Sequence, residues 1–287
     1  MVSPKMLYSL LATFSLSLAI FFKKIGLLMG VPTFRLFLQF MIIAAFTLNV
    51  NLFIFKRKYI IDIKKIKPSE WKMIFLAGSF LFAAHLVSTF GLGFTTSINY
   101  SFINRSTLIF STILSFLFLG EKMDRDMTVL IIAFFVGVYL VSTAGQLIIP
   151  RFGDLLILVG SLFFASFSIT QKLINKKVSP ELISWGVLSS SAGYSILASL
   201  LLKINILSLD GFLFILLAGF FEAIVIVFMN KTIQITSVTY YYMMTMLTPI
   251  INGFLGIIFL NESFQAVQII GGIILIISVI LAQRLKF

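Results

Sequence analysis

Cysteine is absent from the 287 residues, and histidine occurs once. Disulfides, thiolate metal sites and a cysteine nucleophile are therefore excluded, and a lone imidazole cannot build a histidine-rich metal centre. Charge is scarce as well: 11% of residues are charged, less than half the roughly 25% of soluble domains. Acids are the scarcest, with 10 Asp and Glu against 22 Lys and Arg. No glycine-rich phosphate loop of the GxxxxGK[ST] type occurs, so the chain carries no ATP drive of its own. These gaps leave too little for a nucleophile, a base or a metal, so no catalytic residue, cofactor or metal is expected, and an enzyme is the weaker reading. What fills the space is apolar. Hydrophobic residues make up 60% of the chain, 33 of them Phe, and the mean hydropathy is +1.10. One soluble core cannot hold that much, so these side chains must face lipid.

A spanning helix needs about 20 apolar residues. Cutting at charges, prolines and polar clusters gives ten runs, at roughly 6–22, 33–55, 73–94, 98–119, 127–148, 155–174, 181–202, 211–230, 238–260 and 264–283. The first ends at Lys23 and Lys24 without a small-residue cleavage site, and is read as a retained helix rather than a leader. Ten spans put both termini on one side. Sixteen of the 21 basic residues outside the spans then fall on that side, seven of them between Lys56 and Lys72, whereas Lys23, Lys24, Arg35, Arg151 and Lys203 fall on the other. By the positive-inside rule both termini are cytoplasmic. The basic loop 56–72 is a topology signal that touches anionic lipid at most, and nucleic acid is not expected as a partner.

A shift of 141 residues lays Leu76-Ala77-Gly78-Ser79-Phe80 over Leu217-Ala218-Gly219-Phe220-Phe221, and Phe118-Leu119-Gly120-Glu121 over Phe259-Leu260-Asn261-Glu262. Earlier in each half, a shift of 148 aligns Pro32 with Pro180 and Lys24 with Lys172. The fold class is thus an all-α polytopic membrane protein of ten transmembrane helices: one five-helix repeat over 1–148 and a second over 149–287. Because five is odd, the second repeat enters the membrane inverted, the arrangement typical of secondary transporters.

At the same shift, Tyr100, Asn104, Thr107 and Ser111 of the fourth span align with Tyr241, Thr245, Thr248 and Asn252 of the ninth. The spacing i, i+4, i+7, i+11 places each set on one helical face, which lipid would penalise; either both face a common cavity or they hydrogen-bond between helices. Tyr241 sits on this stripe and offers a ring to a cation; Tyr240, Tyr242 and Asn99 read as packing or interfacial residues. Three ionisable groups lie deep within spans: His85, Arg105 and Glu222. The repeat puts His85 and Glu222 on equivalent faces of the third and eighth spans. Glu222 fits a proton-coupling residue or a partner for a cationic substrate group. His85 reads as a cavity or packing residue, and Arg105 as an anion site or a structural group. Gly91, Gly93 and Pro249 are candidate gating positions, with close packing the alternative for the glycines. Gly271-Gly272 marks packing or a homodimer contact.

Leu119-Gly120-Glu121, its counterpart Leu260-Asn261-Glu262 and Thr248-Pro249 make the chain resemble the EamA-type branch of the drug/metabolite transporter superfamily along its whole length. It departs from the pattern at Asn261, where glycine is usual. The resemblance implies a carrier whose central cavity is lined by spans 1, 3, 4, 6, 8 and 9. The expected function is alternating-access transport of a small organic metabolite across the cytoplasmic membrane, an amino acid or related zwitterion or amine, with proton coupling as an option. A carrier of organic cations or anions, or a non-transporting or lipid-handling subunit, is the alternative.

Overall fold

The computed structural model describes residues 3–119, 151–236, 238–263 and 265–284, with 129, 132–133, 136–137 and 139–141 between them. Every described element is helical. Apart from the short turns Arg57–Tyr59, Ile60–Ile63 and Thr245–Leu247, they are α1 (Pro4–Leu28), α2 (Thr33–Val50, extended by a π-helical turn Asn51–Phe55), α3 (Pro68–Phe94), α4 (Ser97–Ile103), α5 (Ser106–Leu119), α6 (Phe152–Ile174), α7 (Pro180–Leu201), α8 (Phe212–Ile235), α9 (Val238–Met244), α10 (Thr248–Leu260) and α11 (Ala266–Arg284). The fifth predicted span, the boundary at 148/149 and Gly120-Glu121 fall largely or wholly outside the described residues.

Six segments are long and apolar enough to cross a membrane: Pro4–Leu28, Thr33–Phe55, Pro68–Phe94, Ser97–Phe118, Phe152–Ile174 and Phe212–Ile235. α10 and α11 supply shorter apolar helices. Large apolar side chains such as Phe46, Leu200 and Phe254 point outward, each at least two-thirds exposed, as a lipid-facing surface requires. α7 is 22 residues long but carries six serines, most of them buried, because it packs against α2, α3 and α8.

Helix ends follow local chemistry. Proline opens α1, α3 and α7 within their first turns, where a missing N–H costs nothing. Gly211 begins α8 at φ +65°, and a Cβ there would stand 2.6 Å from Val31 of the α1–α2 turn, so both the backbone angle and the space demand glycine. Asn261 ends α10 at φ 51°. Asparagine is among the few side chains that tolerate this left-handed geometry, which explains its presence where the family pattern has glycine.

Two helix pairs dominate the packing, α3 with α6 and α1 with α8. The internal repeat exchanges them, since it relates span 1 to span 6 and span 3 to span 8. At the first crossing the backbones nearly touch: a Cβ on Gly91 would lie 2.7 Å from the Gly153 carbonyl oxygen, and one on Gly160 would lie 2.0 Å from Ser88 Oγ. Gly91, expected as a hinge, is thus held in a close helix crossing. Gly93 has more room, its nearest neighbour being Thr33 Oγ1 at 3.6 Å.

Spans 4 and 9 are both broken at their middles. In span 4 the backbone tightens between α4 and α5, with Arg105 N–H donating to Phe102 O at 3.1 Å and Thr107 N–H to Asn104 O at 3.1 Å, three residues back instead of four. In span 9 a 3₁₀ turn, Thr245–Leu247, separates α9 from α10. The 141-residue shift superposes the two breaks. Discontinuous helices at repeat-related positions are how many transporters expose polar backbone to a midplane site.

Candidate functional site

Glu222 is the best starting point because a carboxylate in hydrocarbon costs several kcal/mol unless it is partnered. α8 carries it into the bundle with 2% exposure, and α3 brings His85 to meet it, Nε2 lying 3.0 Å from Glu222 Oε1. The two residues that the repeat placed on equivalent faces are therefore in direct contact. Phe40 and Phe164 pack edge-on against the His85 ring, at 5.2 and 4.9 Å between centroids, and fix its orientation. Among the described residues His85 Nδ1 and Glu222 Oε2 have no hydrogen-bond partner.

A third ionisable group joins them. Lys23 of α1 is 2% exposed, with Nζ 3.9 Å from Glu222 Oε2 and 4.7 Å from the centre of the Phe40 ring. Sequence reasoning had counted Lys23 among the cations outside the membrane, because Lys23-Lys24 ended the first apolar run. The helix instead continues through Ile25-Gly26-Leu27 to Leu28, which carries Lys23 about 7 Å inward from the helix end. That apolar stretch beyond the lysine pair was the available signal.

Arg105 sits at the break in span 4, 4% exposed. Its Nη1 donates to Thr245 O at 2.8 Å and its Nε to Ser101 O at 3.2 Å. The two carbonyls stand at the breaks: Thr245 O also accepts from Thr248 N–H in the 3₁₀ turn, the next N–H along being absent at Pro249, whereas the N–H that would serve Ser101 is Arg105's own, turned to Phe102. Arg105 thus fastens the broken middles of the two repeats to each other. Among the described residues no carboxylate lies within ion-pair distance of it.

Lys23, His85, Arg105 and Glu222 line one cavity of about 40 Å³, together with Leu16, Tyr100, Asn104, Thr107, Phe164, Phe167, Val225, Ile226, Met229, Tyr241 and Tyr242. Six of the predicted spans contribute: the first, third, fourth, sixth, eighth and ninth. That volume suits a few waters and is too small for a metabolite. Of the polar stripe, Tyr100, Asn104, Thr107 and Tyr241 reach the cavity. Ser111, Thr245, Thr248 and Asn252 are buried but outside its lining. Ser111 and Thr245 bond their own helices, Asn252 Nδ2 donates to Ser101 Oγ at 2.6 Å, and Thr248 Oγ1 has no partner. Tyr242, set aside as packing, does line the cavity, with its hydroxyl bonded to Ser168. Asn99, expected at the interface, is 2% exposed and accepts from Gln268 Nε2 at 2.9 Å.

A larger cleft of about 320 Å³ lies between α2, α7 and α8, lined by Leu48, Lys56, Trp185, Phe220 and Lys231 among others, and holds none of the expected site residues. Among the described residues no three His, Asp or Glu side chains are grouped to hold a metal ion.

The model of the EamA-like transporter family matches residues 3–143 and 151–283, one copy in each half of the chain. The chain belongs to the EamA-like transporter family. It is therefore a multi-pass membrane protein built from two EamA repeats, in a family of transporters. Among solved structures, one titled only as the crystal structure of a protein aligns with 97% of this EamA chain and 99% of its own, at a TM-score of 0.65 and 14% identity. At that identity the likeness concerns the fold alone. A comparison with curated proteins found no match.

Proposed function

We propose that this EamA protein is a secondary transporter that moves a small organic metabolite across the cytoplasmic membrane by alternating access around the Lys23–His85–Arg105–Glu222 cavity, with both termini cytoplasmic. One observation carries the reading. Both repeats contribute buried ionisable groups to one buried chamber at their broken helices, which is costly for a purely structural bundle and necessary for a midplane carrier site. Polar lining from spans 4 and 9 and the paired helix breaks support it. Glu222, with His85 hydrogen-bonded to one oxygen and no hydrogen bond to the other among the described residues, is the proposed proton-coupling group. Tyr241 and the neighbouring stripe residues contact substrate, and Pro249 lets span 9 flex.

The test is uptake into proteoliposomes by purified protein with and without an inward pH gradient, for the native chain and Glu222→Gln. Gln keeps the shape of the protonated acid but cannot cycle a proton. The expected result is that Glu222→Gln retains solute exchange and loses uptake driven by the gradient. Native pH dependence in the variant removes Glu222 from coupling. Reporter fusions at both termini should report the cytoplasm; an extracellular C-terminus sinks the ten-span topology and the inverted repeat built on it.

A further inference from the structure

Lys23, Arg105 and Glu222 line the same cavity, so two cations face one carboxylate. His85 adds no fixed charge: it contributes a ring nitrogen to Glu222 Oε1, and its Nδ1 is unpartnered. A surplus positive charge in a buried chamber is costly and is relieved by one negative charge.

The vacant hydrogen-bonding positions point the same way. Among the described residues Lys23 Nζ has no hydrogen-bond acceptor; its ion-pair partner, Glu222 Oε2, stands at 3.9 Å, beyond hydrogen-bond reach. Arg105 spends two N–H groups on backbone carbonyls, out of the five a guanidinium carries. Glu222 Oε2 accepts from nothing. The chamber thus offers unfilled donors on two cations and one unfilled acceptor, between aromatic walls at Phe164 and Phe167.

From this charge and hydrogen-bond balance we infer that the substrate is a small organic acid carried as a monoanion, its carboxylate held by Lys23 and Arg105 and its hydroxyl, or a similar donor, given to Glu222 Oε2. The inference rests on the carrier reading above and narrows it from zwitterions and amines to anions. An amine meets two like charges for each opposite one, and a zwitterion leaves the surplus charge in place. A hydroxy acid satisfies both cations and the empty carboxylate oxygen at once.

The experiment is uptake of labelled L-lactate, glycolate, L-alanine and ethanolamine into proteoliposomes holding the full chain, against protein-free liposomes. Saturable lactate or glycolate uptake is expected, at least tenfold faster than alanine, with ethanolamine at background. Lys23→Gln should cut it tenfold or more while Lys23→Arg restores part of it, with the melting temperature of each variant measured alongside. Arg105→Gln is expected to act similarly, but Arg105 also holds the helix breaks, so Lys23 carries the test if that variant does not fold. Preferred uptake of alanine or ethanolamine, or unchanged lactate uptake by a folded Lys23→Gln, overturns the anion inference and leaves the carrier standing. Uptake of no compound in the panel or in a wider one of nucleosides and dications takes down the carrier reading, and this inference with it.

Discussion

Lys23 and Lys24 are neighbours in sequence, yet they enter two buried polar clusters of opposite character. Lys24 donates to Leu92 O at 3.2 Å and Thr95 O at 2.6 Å, carbonyls freed where α3 ends. Two residues on, Glu262 from the loop after α10 accepts from Ser97 N–H at 2.8 Å, Ser97 Oγ at 2.8 Å and Ile98 N–H at 3.2 Å, filling both its oxygens at the start of α4. Gly256 makes that reach possible, because a Cβ there would stand 2.6 Å from Glu262 Oε2. A carboxylate on the exposed N–H groups of a helix start is the arrangement that both orphan donors and the helix dipole favour. One residue before Lys24, Lys23 has no hydrogen bond among the described residues, and Glu222 Oε2 accepts none from them. The satisfied cluster fastens the repeats together, and the unsatisfied one holds polar capacity for something else. Incomplete pairing inside a membrane protein is costly, so its persistence points to function.

Removing the satisfied cluster should hurt the fold most. Glu262→Ala strips three charge-assisted hydrogen bonds and leaves the Ser97 and Ile98 N–H groups at the start of α4 without their acceptor, an expected loss of about 2–4 kcal/mol, seen as the largest fall in melting temperature in detergent. If that variant melts with the native protein, the latch is not structural and the contrast collapses. Gly91→Ala comes next. Its Cβ meets the Gly153 carbonyl oxygen at 2.7 Å, so α3 and α6 must part at a cost of about 1–3 kcal/mol. Unchanged stability with slowed transport would return Gly91 to the role of a hinge. The smallest stability effect belongs to the unsatisfied cluster: Lys23→Met together with Glu222→Gln removes a poorly paired charge couple and should leave the melting temperature level or raised, because apolar replacements of buried ion pairs are often neutral to stabilising. Transport should nevertheless be lost in the same flux assay. A steep drop in stability would show that the Lys23–Glu222 couple is structural after all.

Several features were legible in the residues alone because they are local or periodic. The two repeats follow from Leu76-Ala77-Gly78 against Leu217-Ala218-Gly219, and the equivalent faces of His85 and Glu222 from the same alignment; that the two side chains meet did not follow from it. Burial of the polar stripes follows from spacing, since a polar face and lipid are incompatible whatever the neighbours. Which stripe residues reach the cavity was not legible. Tyr100 and Tyr241 do, whereas Asn252 turns to Ser101 across the helix pair.

The sequence by itself determined that this chain lives in a membrane, that its two halves repeat, and that Glu222 and His85 are buried, because hydrophobic length and helical period act over a few turns. Tertiary structure alone decided that Lys23 points into the cavity and Lys24 away from it, that Arg105 joins carbonyls at the breaks of both repeats, and that Glu262 closes on Ser97. Those outcomes join atoms more than a hundred residues apart or turn on a 100° rotation between neighbours on a helix, and no pattern along a single span carries that information.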